Sequence, residues 1–362
     1  MSRADTATVP ASFDDVTPAW LAGVLGTPVR AVGIEPFAEG TAFLGRLARI
    51  AVDHERPDLT TRFVLKLPTD DPGGRRVGRL LDTWRREALF YEHLAPQVAE
   101  AVPTAYYIGA DPEHDRWAVL MADLHPWAPG DQVVGATPEQ AATAVDQLAR
   151  LHGLWWGHRR TTATRWLPGI DHPGVGILQD AVVAALPRFE ERFGHRLPAT
   201  PTTWLRRFAP NLRAFLADLA DGPLTVAHAD YRVENLLFSP DAGRVSVIDW
   251  QTAMLTHGAT DLSFFLATNL TVEERRRHEE DLVARYVDGL RRHGVTAADT
   301  AGVAHVHRSA HLWWMAMLAN NLSTIDPPTE RGRRLFWTML ERLWLAAQDH
   351  DAGRVLDRPP AG

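Results

Sequence analysis

The chain has 362 residues, of which 45% are hydrophobic and 23% are charged, proportions typical of a soluble globular protein large enough for two domains. Its formal net charge of −7 excludes nucleic acid as the main partner, because no basic excess is present to hold phosphates. The sequence contains no cysteine, which excludes disulfides, thiolate catalysis and cysteine-based zinc sites.

Hydropathy gives no indication of a membrane partner. Residues 1–15 lack the apolar segment of a signal peptide, and the longest apolar run, residues 312–319, is too short to cross a bilayer. We therefore expect a cytoplasmic protein.

The first third of the chain predicts a small antiparallel sheet. Alternating polar and apolar residues, bounded by turn signals, are typical of half-buried strands. The predicted strands are residues 29–37, 46–52, 62–68, 104–109 and 117–121. Small residues between the first two strands, among them Gly40, Thr41 and Gly45, predict a loop.

The third predicted strand contains Lys66, which is the only lysine among 38 basic residues. A charged residue in an apolar strand needs a partner, and a lone lysine in an arginine-rich chain suggests a site that requires the compact ammonium group. We expect that partner to be a glutamate on the helix predicted over residues 76–94, which contains Glu87 and Glu92. Residues 72–76, rich in glycine, predict a loop before that helix.

Beyond residue 124 the sequence becomes mostly helical, so we predict one domain over residues 1–123 and a second over 124–362. Apolar residues at helical spacing define the predicted helices. They cover residues 138–158, 177–193, 204–219, 260–270, 272–293, 300–322 and 331–348.

A hairpin interrupts these helices and concentrates the polar residues that suggest chemistry. His228 and Asp230 follow a short buried strand, Asn235 comes five residues after Asp230, and Asp249 ends a second apolar run. A hairpin of this shape is expected to bring Asp230, Asn235 and Asp249 to one end of its strands. Phosphoryl transfer from a nucleotide needs oxygen ligands for Mg²⁺ and a carboxylate beside the acceptor hydroxyl.

The spacing H-x-D-x-x-x-x-N followed by I-D is that of the kinase catalytic and metal loops. The segments HADYRVEN and IDWQ, which contain Asp230 and Asp249, resemble those of the aminoglycoside phosphotransferase and choline kinase group, and most closely its ecdysteroid-kinase-like branch. This resemblance implies an α+β, two-lobed, protein-kinase-like fold. It also implies ATP as the phosphate donor, with GTP as an alternative, and Mg²⁺ as the metal.

The resemblance also implies a role for each matching residue. Asp230 would accept or orient the acceptor hydroxyl, Asn235 and Asp249 would hold metal, and Lys66 would hold nucleotide phosphates. Glu87 is chosen over Glu92 to orient Lys66, because the sequence around Glu87 matches that of the family. The remaining nucleotide residues are Gly40, Thr41 and Gly45 in the phosphate loop, Met121 near the adenine, and His228 as a brace of the catalytic loop.

The short segment after Asp249 favours a small-molecule acceptor. Asp261 opens the next helical pattern, too soon for the peptide-docking segment of a protein kinase, and no A-P-E sequence occurs. We expect Asp261 to cap a helix or brace a loop, and not to act as a ligand. Arg232 could neutralise a phosphate oxygen or be a solvated loop arginine, and Trp313 or Trp314 could line an acceptor pocket because adjacent residues cannot both face one core direction.

Three other functions remain open from the sequence. A nucleotide-binding pseudokinase would have no need for Asp230. A metal hydrolase built on His228, Asp230 and Asp249 would leave Lys66 unexplained. A nucleotidyl transferase of the same fold would release pyrophosphate instead of ADP.

Overall fold

A computed structural model describes residues 8–37, 44–157, 164–169, 174–324, 327 and 329–357. Contacts divide the chain into two compact units. The first contains residues 1–126 and 246–252, and the second contains residues 127–245 and 253–362. Among the described residues, no helix combines the length and the apolar composition that a membrane span requires.

The first unit contains an antiparallel sheet of five strands within its described residues. The strands are β1 (Val29–Phe37), β2 (Gly45–His54), β3 (Arg62–Pro68), β4 (Ala105–Asp111) and β5 (Arg116–Ala122). Their order across the sheet is β1-β2-β3-β5-β4, as antiparallel neighbours. One face buries alternate residues such as Ile50 and Leu65 against α1 (Pro18–Leu25). The predicted small antiparallel sheet is confirmed.

Two helices replace the single helix predicted over residues 76–94. They are α2 (Pro72–Leu80) and α3 (Thr83–His93), separated by Asp82, which adopts a left-handed φ of 53°. The interpretation of residues 72–76 as a loop was wrong. Asp71 caps α2 by accepting a hydrogen bond from the Gly74 N–H at 2.6 Å, and Pro72 occupies the first turn, where its missing N–H costs nothing.

The second unit is mostly helical. Its helices are α4 (Pro138–Trp155), α5 (Gly174–Phe193), α6 (Ala199–Phe208), α7 (Leu212–Ala220), α8 (Ala259–Asn269), α9 (Val272–Arg292), α10 (Ala297–Thr300), α11 (Val303–Thr324) and α12 (Glu330–Asp349). Every residue of α8 is buried, and α11 and α12 pack against it. The helix predicted over residues 204–219 is divided into α6 and α7 by a turn at Ala209–Asn211, which contains Pro210.

Short strands carry the predicted hairpin region. They are β6 (Ala128–Pro129), β7 (Thr225–Ala227), β8 (Leu236–Phe238), β9 (Val245–Val247) and β10 (Met254–Thr256). In the second unit, β6 pairs with β8 and β7 pairs with β10, both antiparallel. The hairpin turn is closed by the Ser239 N–H, which donates to the Arg244 carbonyl at 2.9 Å. The α+β class is confirmed.

Candidate active site

The first unit brings Lys66, Glu87 and Asp249 together. The Lys66 Nζ lies 2.7 Å from Glu87 Oε2 and 2.5 Å from Asp249 Oδ1. The Glu87 side chain is almost fully buried, with 3% of its surface exposed, whereas 23% of the Asp249 side chain is exposed. The expected pairing of the only lysine with a glutamate on the following helix is therefore present, and Asp249 is a second partner with access to solvent.

Burial and charge act in opposite directions on this ammonium group. Burial by itself lowers the pKa of Lys66, but the carboxylates of Asp249 and Glu87 more than compensate, so its pKa lies above the ordinary value. Burial raises the pKa of Glu87, and Lys66 opposes that rise. Lys66 is therefore cationic at neutral pH and keeps its charge next to two acids.

Local structure fixes each member of this set. Lys66 lies on β3, between neighbouring strands, and Glu87 lies in the middle of α3. Asp249 has a φ of 67°, a left-handed conformation that is uncommon outside glycine, and its Oδ2 accepts a hydrogen bond from Gln251 Nε2 at 3.2 Å. Trp250 stacks on Phe90 of α3 with ring centroids 3.9 Å apart. The strained aspartate is thus fixed by the residues that follow it.

Only part of the predicted phosphate loop lies within the described residues. Gly40 and Thr41 lie outside the described residues. Gly45 opens β2, and a Cβ atom on this residue would lie 3.2 Å from Lys66 Cε, a tight contact. Gly45 therefore leaves room for the lysine side chain, and its role toward phosphates stays a prediction.

Met121 lies inside the sheet. It is on β5, where it pairs with Val64 on one side and Ala105 on the other, and its Sδ accepts from the Tyr91 hydroxyl at 3.7 Å. The adenine contact assigned to backbone groups near Met121 stays a prediction.

In the second unit, the loop between β7 and β8 gathers His228, Asp230, Arg232 and Asn235. Asp230 Oδ2 accepts hydrogen bonds from Asn235 Nδ2 at 2.9 Å and from Arg232 Nε at 3.1 Å. Within the described part of the chain, no donor bonds to the other carboxylate oxygen, Oδ1. The Asp230 side chain is 28% exposed. Asp230 is therefore held at one oxygen and open at the other.

The amide of Asn235 has a defined orientation. Its Nδ2 donates to both the backbone carbonyl and the carboxylate of Asp230, each at 2.9 Å. Two acceptors fix this atom as the nitrogen, so the amide oxygen is directed elsewhere. Amide and carboxylate oxygens are the donors that Mg²⁺ prefers. Asn235, and Asp249 in the first unit, each have a chemistry that fits such a cation.

Asp261 braces the loop between β7 and β8, which is one of the two roles expected from the sequence. Its Oδ2 accepts from the His228 N–H at 2.6 Å and its Oδ1 accepts from the Ala229 N–H at 3.0 Å. His228 is buried, with 1% of its surface exposed, and its Nδ1 accepts a hydrogen bond from the Asp230 N–H at 3.2 Å. Both groups act on backbone amides, so His228 and Asp261 set the position of Asp230 from two sides.

Ala229 has a strained backbone conformation that a glycine would adopt without strain. Its φ is 60°, in the left-handed region. We expect Ala229→Gly to keep or raise the free energy of unfolding, by up to about 1 kcal/mol, because relief of the Cβ strain exceeds the entropy that glycine adds to the unfolded chain. Urea unfolding measures the change. Ala227→Gly, two residues earlier in β7, is the control and is expected to destabilise. A loss of stability in Ala229→Gly as large as that of the control would contradict the strain argument.

The structure describes the three residues predicted to contact the substrate, Arg232, Trp313 and Trp314. Arg232 Nη1 also binds Glu234 at 2.6 Å, so two carboxylates hold its guanidinium. Trp313 and Trp314 lie on α11 with 7% exposure each, and Trp314 Nε1 donates to the Thr260 carbonyl at 2.8 Å. Their proposed substrate contacts stay predictions.

Sequence reasoning missed two residues that orient the site. Gln251 binds Asp249, and Glu234 links Arg232 to Arg331 on α12, with Glu234 Oε1 lying 2.8 Å from Arg331 Nη2. The position of Gln251, two residues after Asp249, could have indicated its contact. The distance of 97 residues between Glu234 and Arg331 left no local pattern to find.

Comparison with family models decides the class of protein. The model described as the phosphotransferase enzyme family matches residues 48–295, which is more than half of the chain. The chain belongs to this phosphotransferase enzyme family. The sequence-based assignment to the aminoglycoside phosphotransferase and choline kinase group is confirmed, and the ecdysteroid-kinase-like branch stays a prediction. A search of curated protein sequences found no match for this phosphotransferase.

Solved structures of small-molecule kinases share its fold. A choline kinase from Cryptosporidium parvum is 11% identical, with 90% of this chain and 94% of that chain aligned and a TM-score of 0.54. Macrolide 2′-phosphotransferase type I is 17% identical over 91% and 97% of the two chains, with a TM-score of 0.52. Amicoumacin kinase in complex with AMP-PNP, Ca²⁺ and Ami is 14% identical over 87% and 88%, also with a TM-score of 0.52. These similarities confirm the kinase-like fold.

Proposed function

We propose that this phosphotransferase moves the γ-phosphate of ATP to a hydroxyl group of a small molecule, with Mg²⁺ as the metal. The observation that supports the proposal most strongly is the ammonium group of Lys66 fixed between Glu87 and Asp249. A lysine held by a buried glutamate is suited to bind nucleotide phosphates, because its charge and direction are set before the nucleotide arrives.

Specific side chains are proposed to bind the metal and the donor phosphates. Lys66 binds the α- and β-phosphates, and Glu87 orients it. Asp249 contributes a carboxylate ligand and Asn235 an amide oxygen ligand. The Mg²⁺ that such donors hold would neutralise negative charge on the phosphoryl group. GTP is the alternative phosphate donor in this scheme.

Asp230 is the proposed catalytic base. Its Oδ2 is fixed by Asn235 and Arg232, while its Oδ1 has no donor among the described residues and is open to an acceptor hydroxyl. A carboxylate in that position orients the hydroxyl and takes its proton as the hydroxyl oxygen bonds to the γ-phosphorus. The bond from that phosphorus to the β–γ bridging oxygen breaks, and ADP leaves. His228 holds this loop through the Asp230 N–H.

A small acceptor is favoured by the short connection after Asp249. β10 begins at Met254 and α8 begins at Ala259, which leaves no segment long enough to dock a peptide. The three similar enzymes are named for choline, macrolide and amicoumacin acceptors, all small molecules. The net charge of −7 supports the absence of a nucleic-acid partner, and we expect the enzyme to act in the cytoplasm without a membrane partner.

ADP release from Mg·ATP, followed over a panel of hydroxylated compounds, tests this function. The panel contains sugars, nucleosides, choline, macrolides, aminoglycosides and steroids. We expect release that depends on one acceptor class and that Asp230→Asn abolishes. Pyrophosphate release would indicate a nucleotidyl transferase, and turnover of a phosphate ester without nucleotide would indicate a metal hydrolase. Nucleotide binding without release for any acceptor would favour a pseudokinase.

A further inference from the structure

A cluster of three histidines and one glutamate lies in the helical unit, among elements to which the proposed reaction gives no role. Its members are Glu279 on α9, His307 and His311 on α11, and His350 directly after α12. One ligand atom from each of these residues lies within 4.8 Å of the other three. Glu279, His307 and His311 are buried, and the His350 side chain is 21% exposed.

The imidazole of His311 is oriented as a metal ligand would be. Its Nδ1 lies 2.8 Å from the Arg308 carbonyl, an acceptor, so Nδ1 carries the proton and Nε2 keeps its lone pair. The whole residue has no exposed surface, and within the described residues nothing hydrogen-bonds to Nε2. A buried lone pair without a donor is costly unless something binds it.

The two oxygens of Glu279 lie near different histidines, and one ligand atom from each of the four residues lies within 4.8 Å of the other three. His307 Nε2 lies 3.1 Å from Glu279 Oε1, and His350 Nε2 lies 2.9 Å from Glu279 Oε2. The latter contact does not have hydrogen-bond geometry, since His350 Nε2 has no hydrogen-bond partner among the described residues. Zinc bonds of 2.0–2.1 Å in a tetrahedron place neighbouring ligand atoms about 3.3 Å apart. A contraction of the longest distance between ligand atoms, at most 4.8 Å, to about 3.3 Å would close the cluster around one ion bound to one Glu279 oxygen.

Charged neighbours support the carboxylate ligand. Arg275 Nη1 donates to Glu279 Oε2 at 2.7 Å, and the same guanidinium is paired with Asp349. Ligating carboxylates in metal sites are themselves hydrogen-bonded in this way, and ligating histidines commonly donate their second N–H to a carbonyl, as His311 does to Arg308. Asp349 is shared by Arg275 and Arg276, so the two carboxylates of Glu279 and Asp349 face two guanidinium groups.

We propose that Glu279, His307, His311 and His350 form a binding site for a divalent transition-metal ion of the zinc class. Imidazole and carboxylate donors in a tetrahedral arrangement suit Zn²⁺ better than Mg²⁺ or Ca²⁺, which take oxygen ligands at higher coordination number. Four protein ligands close the coordination sphere, so the ion is structural and joins α9, α11 and the end of α12.

Metal analysis of the full chain tests the site. We expect protein from zinc-supplemented cells to contain one zinc per chain after gel filtration. Removal with a chelator should lower the melting temperature, and Zn²⁺, but not Mg²⁺, should restore it. Co²⁺ in place of zinc should give the intense visible absorption of tetrahedral coordination, a readout that needs no variant.

Matched substitutions locate the ion. His311→Gln and His307→Gln should weaken zinc binding by at least about a hundredfold, because even the loss of an outer partner costs 10–100-fold. His293→Gln, an exposed histidine after α9, is the control and should bind zinc as the wild type does. A wild-type chain that neither retains nor rebinds zinc would overturn the proposal. Equal binding by His311→Gln and the wild type, or an octahedral Co²⁺ spectrum, would overturn it as well.

Discussion

Asp230→Asn is expected to lower kcat by about 10²–10⁴-fold while nucleotide affinity stays within a factor of about two, because a positioned general base contributes a factor of that size to the rate. The substitution removes the negative charge but keeps an oxygen that can accept from Asn235 and Arg232, so the loop should keep its shape. Steady-state kinetics with the acceptor identified in the ADP-release panel, together with calorimetric nucleotide binding, measures the two quantities separately.

Asp218→Asn is the control for this substitution. Asp218 is an exposed residue on α7 in the same unit, so its replacement makes the same chemical change away from the catalytic loop. We expect wild-type kcat in the control. If Asp230→Asn kept more than about a tenth of the wild-type rate, Asp230 could not be the base.

Lys66→Met is expected to lower the free energy of unfolding by about 3–5 kcal/mol, the cost typical of removing one partner from a buried ion pair. The loss leaves the carboxylate of Glu87, which is 3% exposed, without its cation. Urea unfolding followed by circular dichroism gives the value. Nucleotide affinity should fall in the same variant, because Lys66 is the proposed phosphate ligand.

The pH dependence of this loss has a definite sign. Without Lys66, the pKa of Glu87 rises further above its ordinary value, because burial is no longer opposed by the ammonium group. A carboxyl with a raised folded-state pKa binds more protons folded than unfolded, so its penalty grows as pH rises above the unfolded pKa. The difference between Lys66→Met and the wild type should therefore be smaller at pH 5 than at pH 8.

A double substitution separates charge from packing. Lys66→Met with Glu87→Gln removes the uncompensated charge and should recover part of the stability lost in Lys66→Met alone. A double variant that is no more stable than Lys66→Met would show that the uncompensated charge of Glu87 does not cause the loss, and the electrostatic account would be wrong.

Sequence patterns predicted those features that depend on local chemistry. The only lysine in an apolar strand indicated a glutamate partner on the next helix, and the family resemblance selected Glu87. The spacing from His228 to Asn235 indicated the loop that holds Asp230. Periodicity could not show that the helix predicted over residues 76–94 is divided at Asp82, because the left-handed conformation of that residue depends on packing. The cap of α2 by Asp71 could have been found, since an Asp-Pro pair is a common helix start.

Most of the features that sequence reasoning did not find depend on contacts between residues that are far apart in the chain. Glu279 and His350 are 71 residues apart, and only the spacing of His307 and His311, four residues along one helix, hinted at a shared face. The strain at Ala229 is similar, because no local pattern in the sequence indicated that its backbone adopts a left-handed φ of 60°.

Nucleotide binding by the wild-type protein, measured by titration calorimetry with ATP and GTP in the presence and absence of Mg²⁺, tests the central claim most directly, because it needs no knowledge of the acceptor. The arrangement of Lys66, Glu87 and Asp249 predicts one nucleotide bound per chain, with an affinity that Mg²⁺ increases. A folded protein that binds neither nucleotide would contradict the phosphotransferase function proposed for this site.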